Sequence, residues 1–503
     1  MPHRVATYRR YKISDDVLIL ILLKLDPIPL SRVCQAFQRA YFLVMKFQPL
    51  RYVFELSCFG MKDGPAPHTL RPSFTRLQLL MAYEAEWPRL NWSNEQKVKV
   101  PATSAHIDIS GGFLYYTGDQ SINLLELPSC RTGRPPSHTR HLKFNTAPQA
   151  DSVAIDASQS LIITGQTAIP RAQNGQIALR LKIRNLWSFE KHPNTPAPYF
   201  DCETQVSLPV ANMFIAVSGN RIVTSLNFVD GSARHLILDW HTFRATWFDD
   251  LDVSLLNSNR LLGVKRSQAK LSLVLYNVSD ISHVMVEREY ELPPIWMRSN
   301  MKFGQNSAPK NDVSISPTAL FYPDPEARMM LLSASQTGAP THWLLISETF
   351  FRATAHSDRR LVPWTFWSQF CLIKEFPIGS FVGTPQVVGS HITYLEKDIR
   401  GGRGGVERSR LGLLDFASHN TGTVPLSKSW TLIGKMAPIT PKENFREFPS
   451  ATTNGLPVKK ICATEDNIIV ILEKHGDIQP VNVLTFGVPV PRSTHNGHHP
   501  HQF

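Results

Sequence analysis

Long apolar runs are scarce in this 503-residue sequence, and none reaches the length of a membrane helix. The first, Val17 to Leu25, spans nine residues and is broken by Lys24, where a crossing needs roughly 20. No membrane partner is therefore expected. Arg4, Arg9, Arg10 and Lys12 ahead of that run imitate a signal peptide, but Asp15 and Asp16 abut it, Asp26-Pro27 comes after it, and no small-x-small cleavage pattern appears. Cysteine is also sparse. Cys34, Cys58, Cys130, Cys202, Cys371 and Cys462 are scattered without a C-x-x-C pair, which suits neither a structural zinc site nor a disulfide framework. A reducing compartment is expected, cytoplasmic or nuclear, where the sequons at Asn91 and Asn277 go unused. Phosphate-cradling G-x-x-x-x-G-K-[ST], zinc-binding H-E-x-x-H and nucleophile-bearing G-x-S-x-G are all missing. The sequence thus assigns no catalytic residue, cofactor or metal, and a non-enzyme is expected.

The charge is basic, 53 Lys and Arg against 41 Asp and Glu, or +12. It is spread thinly, as a solvated surface would be. Arg400-Gly401-Gly402-Arg403-Gly404-Gly405 holds two Arg-Gly-Gly units, which in longer tracts bind RNA. Lying between Leu395 and Leu411, inside one hairpin pattern, it reads as a flexible loop, and nucleic acid is not an expected partner. Asp201 and Glu203 after Pro198 read as a solvated turn rather than a glycosidase pair. Trp364 and Trp367 read as packing residues. His495, His498, His499 and His501 fall in a Ser, Asn, Gly and Pro-containing end, residues 488–503, expected to be disordered.

Helical signals are confined to the first hundred residues. Ser14-Asp15-Asp16 can accept hydrogen bonds from the free N–H groups of a helix start, and Asp26-Pro27-Ile28-Pro29 closes the short helix begun there. In a second helix Val33, Phe37, Ala40, Tyr41 and Val44 would share one face. A third, from about Phe74 to Trp92, would turn Phe74, Leu77, Leu80 and Met81 to one side and end or kink at Trp87-Pro88. A first helix apolar nearly all round needs cover on more than one side. An ordinary N-terminal bundle would supply it, and so would a partner.

After Asn94 the period changes to two. Short alternating runs come in pairs across turns, at 107–127, 153–186, 214–240, 253–278, 313–347, 387–416 and 461–487. In one of them Leu179, Leu181 and Ile183 alternate with Arg180, Lys182 and Arg184. A large β-sandwich or barrel can be built from such strands. Repeated hairpins in this number more often close a β-propeller, since radial stacking buries both sheet faces. The expected fold is mainly β: an irregular β-propeller of about seven blades with a small N-terminal α-helical domain. The divisions are a basic flexible N-terminus (1–12), a helical domain (13–56), a helical linker (57–94), the propeller-like domain (95–487) and the tail (488–503).

The N-terminal order of apolar anchor, acidic cap, Val17-Leu18-x-x-Ile21-Leu22-x-x-Leu25-Asp26-Pro27-x-x-Leu30 and a basic, aromatic second helix resembles an F-box, in particular that of basidiomycete fungal F-box proteins. Gln48-Pro49-Leu50-Arg51-Tyr52, Gly60-Met61-Lys62-Asp63-Gly64, Arg76-Leu77-Gln78-Leu79-Leu80 and Tyr83 to Trp92 resemble the stretch just after the F-box in members of that family. Looser landmarks are Ser160 to Ile163, Val362 to Trp367, Leu413 to Phe416 and Leu456 to Lys460. Ser14 stands where the family usually has proline, Pro29 where many members are acidic, and Ala40 where an aromatic is common. The resemblance implies docking on the Skp adaptor of an SCF-type cullin–RING ubiquitin ligase. The implied contact residues are Val17, Leu18, Ile21, Leu22 and Leu25, with Pro27 and Leu30 shaping the turn, and Val33 and Phe37. The propeller loops would then hold a protein substrate. The alternative is a non-catalytic scaffold or an RNA-binding propeller with a helical cap, and a third possibility is a propeller hydrolase with carboxylates converging in its channel.

Overall fold

The computed structural model describes residues 13–104, 106–118, 120–136, 140–146, 149–168, 178–204, 208–268, 270–308, 310, 315–352, 360–397, 409–416 and 441–487. The N-terminus 1–12, the Arg-Gly-Gly segment and the His-containing tail lie outside them.

The chain is a seven-bladed β-propeller. The blades take residues 107–145, 152–203, 210–248, 252–291, 300–376, 381–447 and 458–485 in order, each an antiparallel meander. The seventh is completed from the other end of the chain. Asn94–Pro101 pairs antiparallel with Ile478–Thr485, from Asn94 opposite Thr485 to Pro101 opposite Ile478, and so closes the ring. The fourth blade gains a parallel fifth strand, Leu361–Val362.

Seven of the eight apolar clusters are the seams between neighbouring blades. The period-two alternation read from the sequence therefore does not hold along every strand. Asn467–Leu472 and most of Leu271–Asn277 are buried along their length, because a neighbouring blade covers each face. The expected alternation survives at Ala178–Asn185, where Leu179, Leu181 and Ile183 are buried and the basic residues between them are half-buried. In every blade the second strand starts and the third ends on one backbone bond. The carbonyls of Gly112, Ser160, Asn220, Asn259, Arg328, Ser390 and Asp466 accept from the amides of Leu127, Leu186, Trp240, Val278, Glu348, Phe416 and Phe486, at 2.7–3.2 Å.

Each blade also has an outer strand that the apolar pattern did not show. Asp201 and Glu203 belong to one of these, Tyr199–Glu203, and not to a turn. Arg180 holds Asp201 through Nε at 2.7 Å and Nη2 at 2.6 Å and lies over the Tyr199 ring. Blade three repeats the device, with Arg234 on Asp249 and over Trp247. The sequence carries the echo as Tyr199-Phe200-Asp201 and Trp247-Phe248-Asp249. A further correction falls at 313–347. Phe321–Pro323 is not a blade-five strand but pairs with Met61–Asp63 under the helices, and blade five opens instead with Asn300–Phe303. Trp367 is buried as expected, its Nε1 donating to Glu291 O at 2.8 Å.

Five helices of eight or more residues precede the ring: α1 Asp15–Leu22, α2 Pro27–Ala36, α3 Gln38–Lys46, α4 Gln48–Cys58 and α5 Ser73–Glu86. The expected linker, 57–94, is instead part of the propeller core. Tyr52, Leu56, Leu77, Leu80, Tyr83 and Trp87 join the seam of blades six and seven in one cluster with Phe321, Leu413 and Phe486. Buried Arg76 donates to Asp63 Oδ1 at 2.7 Å, to Leu320 O at 2.9 Å and to Arg71 O at 2.9 Å. Gly64 passes so close to Ala319 that a Cβ there would lie 2.0 Å from its carbonyl oxygen. Tyr83 Oη donates to Glu465 O at 2.6 Å, and the Gly487 amide to Glu86 Oε2 at 2.6 Å. The helices thus grip the end of the ring where first strands turn into second strands, and leave the other end open.

Candidate docking face on the N-terminal helices

The local sequence explains the arrangement of α1 to α3. Ser14 caps α1, its Oγ accepting from the Val17 amide at 3.4 Å, and Asp15 and Asp16 sit in the first turn, where the helix dipole favours negative charge. Pro27 starts α2 at its first turn, a place where its missing N–H costs nothing. Arg39 on α3 donates to Asp15 Oδ1 through Nε at 2.9 Å and to Ile13 O through Nη2 at 2.7 Å, tying the start of α1 down.

The expected single second helix is two. The chain breaks at Phe37, which is extended at φ −131° and ψ 100°. A continuous helix would have put Val33, Phe37, Ala40, Tyr41 and Val44 on one face. The break rephases α3, so that Leu30, Cys34, Ala40, Leu43 and Val44 are buried while Phe37 (65% exposed) and Tyr41 point outward. Ala40 is small because the helices meet there; it is 1% exposed in a cluster with Leu22, Leu30, Cys34, Val44 and Leu50. Burial also pushes the Cys34 thiol up to about 11, so it acts as a core group.

Eight of the nine expected contact residues separate into three sets. Val17, Ile21 and Phe37 are exposed. Leu18, Leu25 and Val33 are half-buried, packed against the cap core. Leu22 and Leu30, at 1% and 0% exposed, are that core, which corrects their assignment as contacts: a side chain already sequestered inside has nothing left to offer a partner. Pro27 lies at the turn, as expected. Four exposed apolar residues were missed: Leu20 (62% exposed), Leu23, Tyr41 and Phe42. A run that is apolar all round carries no periodic minimum, so the sequence could not say which side the cap would cover. Nine of the 24 large apolar side chains exposed among the described residues fall between Ile13 and Phe47, so exposed apolar side chains are concentrated on these helices.

At the open end of the ring a cavity of about 290 Å³ enters the channel between blades seven, one, two and three. Its two carboxylates are each engaged. Asp108 accepts from Lys460 Nζ at 2.7 Å, and Asp151 from the Thr167 amide and hydroxyl, both at 2.7 Å. Among the described residues no three His, Cys, Asp or Glu gather as a metal site, and no helix is long and apolar enough to cross a membrane.

Comparison with family models and with curated proteins finds no match. Among solved structures the chain is similar to the WD40 domain of SCAP from fission yeast, at 8% identity over 78% of this chain and 98% of that one, with a TM-score of 0.41. It is similar also to the WD40 domain of Toxoplasma gondii coronin, at 9% identity over 80% and 88%, with a TM-score of 0.38. Likeness this distant says nothing of partners or activity.

Proposed function

We propose that this chain is a substrate-recruiting subunit of an SCF-type cullin–RING ubiquitin ligase, with α1 to α3 docking on the Skp adaptor and the propeller holding a protein substrate. The observation that carries the reading is the exposed apolar patch of Val17, Leu20, Ile21, Phe37, Tyr41 and Phe42 on a cap that already has its own core. It falls in the residues that resemble an F-box. Burying such side chains contributes on the order of 1.5–3 kcal/mol each before association costs are subtracted. The helices hold one end of the ring, so the opposite end stays free to hold a second protein. The chain itself would supply no catalytic group; it would act by proximity, raising the concentration of a substrate near a transferring enzyme carried by other subunits.

The test is capture of purified Skp adaptor by the whole chain, beside Leu20→Asp with Ile21→Asp on the patch and Leu70→Asp away from it. Leu70 is 74% exposed and serves as a control for added surface charge. Capture by the parent and by Leu70→Asp, with loss in the patch variant, supports the reading. An adaptor that ignores the folded parent sinks it.

A further inference from the structure

We propose that the ring-closing seam between blades seven and one is a docking surface for an extended acidic peptide. It rests on reading the propeller as the part that holds a protein partner, and not on adaptor docking.

Two cavities open on this seam. The first is the channel mouth already described, which carries Lys459, Lys460, Lys474 and His106. The second, of about 340 Å³, lies on the outer rim between the closing strand Asn94–Pro101 and the outer strand of blade one, His141–Asn145. Among the described residues the cations lining it are Lys97, Lys99, His141 and Lys143, and no Asp or Glu does so. The apolar residues that line it from within the seam are Val98, Tyr116 and Leu125. His141 and Lys143 are exposed on this face, while Lys97 and Lys99 lie on the opposite face of their strand from Val98, where Lys97 donates to Ala451 O at 2.8 Å. Across both cavities the carboxylates are Asp108, paired with Lys460, and Asp151, held by Thr167. The seam therefore has a surplus of positive charge.

The shape favours a peptide over other polyanions. Asn94–Pro101 and His141–Asn145 are the outermost strands of their blades, so each offers a row of backbone N–H and C=O groups to an added strand. Blade four shows such an outer strand being used, since Met285–Glu291 already accepts the parallel strand Leu361–Val362. An extended peptide turns alternate side chains to one face, so carboxylates at every second position would all face His141 and Lys143. Single-stranded RNA would need exposed rings on which bases stack, and the one aromatic lining the rim cavity, Tyr116, is half-buried in the seam.

The test measures binding of a labelled peptide of alternating Glu and Val, about ten residues long, to the whole chain. Its Gln and Val counterpart and a single-stranded oligoribonucleotide serve as competing probes. One variant combines Lys143→Glu with Lys474→Glu, one from each cavity. A control combines Lys191→Glu with Arg244→Glu, exposed residues in blades two and three, for the same change in net charge. Melting curves must match the parent; if charge reversal shifts them, Lys143→Gln with Lys474→Gln replaces the seam variant. The acidic peptide is expected to bind parent and control alike, to weaken at least about tenfold in the seam variant, and to weaken with salt. The Gln peptide is expected not to compete. Absence of binding, an equal loss in the control, or tighter binding of RNA through the same lysines would overturn the proposal. The seam variant must still capture the adaptor if the parent does, which separates failure here from failure of the adaptor reading.

Discussion

The Arg76 guanidinium, whose side chain is wholly buried, meets Asp63 Oδ1 at 2.7 Å, and that same carboxylate oxygen accepts from Tyr52 Oη at 2.8 Å. Helices α4 and α5 and the strand Met61–Asp63 are thus joined at one oxygen. Leu320 O, from the segment between the first and second strands of blade five, accepts from both donors as well. Removing the cation leaves a carboxylate and several carbonyls without their donor. Arg76→Ala should cost about 3–5 kcal/mol, read as a lower urea midpoint, and Tyr52→Phe about 1 kcal/mol. Equal losses from the two would mean that the buried cation is not the centre of the junction.

Gly64 should tolerate no side chain. The contact a Cβ would make is with the backbone of Ala319 and not with a flexible side-chain end, so either the strand pair Met61–Asp63 with Phe321–Pro323 separates or the backbone shifts. Gly64→Ala should destabilise by about 1–3 kcal/mol and speed hydrogen exchange at 61–66 and 319–323 before it does so in blade two.

On α1, neighbours should behave oppositely. Leu22→Ala opens a cavity in the cap and should cost about 2–5 kcal/mol, seen as faster hydrogen exchange across α1 to α3. Leu20→Ser, on the exposed side, should stay within about 0.5 kcal/mol of the parent. A cap equally loosened by both changes would refute the assignment of inner and outer faces.

Acidity should act through Asp252. Burial pushes its carboxyl up to about 6, against the partial opposition of Lys302 and a bond from the Phe303 amide. A carboxyl raised in the folded state favours folding while protonated. Its contribution is therefore complete below its unfolded value near 4 and is lost as pH rises through about 6. Asp252→Asn should be more stable than the parent at pH 7.5, and the advantage should vanish near pH 4. Buried His235, pushed down to about 4, works the other way, costing stability as pH falls from its unfolded value near 6.5. It is present in both proteins, so it cancels in the comparison.

Much of this architecture is dictated by the sequence alone. Period-two runs at seven places are enough for seven blades, because a strand apolar at alternate positions must find cover and a closed ring of blades supplies it. Ser14, Asp15 and Pro27 place the ends of α1 and α2 by backbone chemistry, which acts within a few residues. Sequence could not place what depends on contacts between distant residues. The outer strands are polar and carry little apolar signal, so the pairing of Asn94–Pro101 with Ile478–Thr485 appears only when the ring closes. Phe37 looked like a buried helical position and became an exposed break, because the register of α3 is set by the packing of Ala40 and Val44 against Leu30 and Leu50. In a run as uniformly apolar as Val17 to Leu25, local physics fixes a helix but not its inner side. Only the folded cap decided that Leu22 turns in while Leu20 and Ile21 stay exposed.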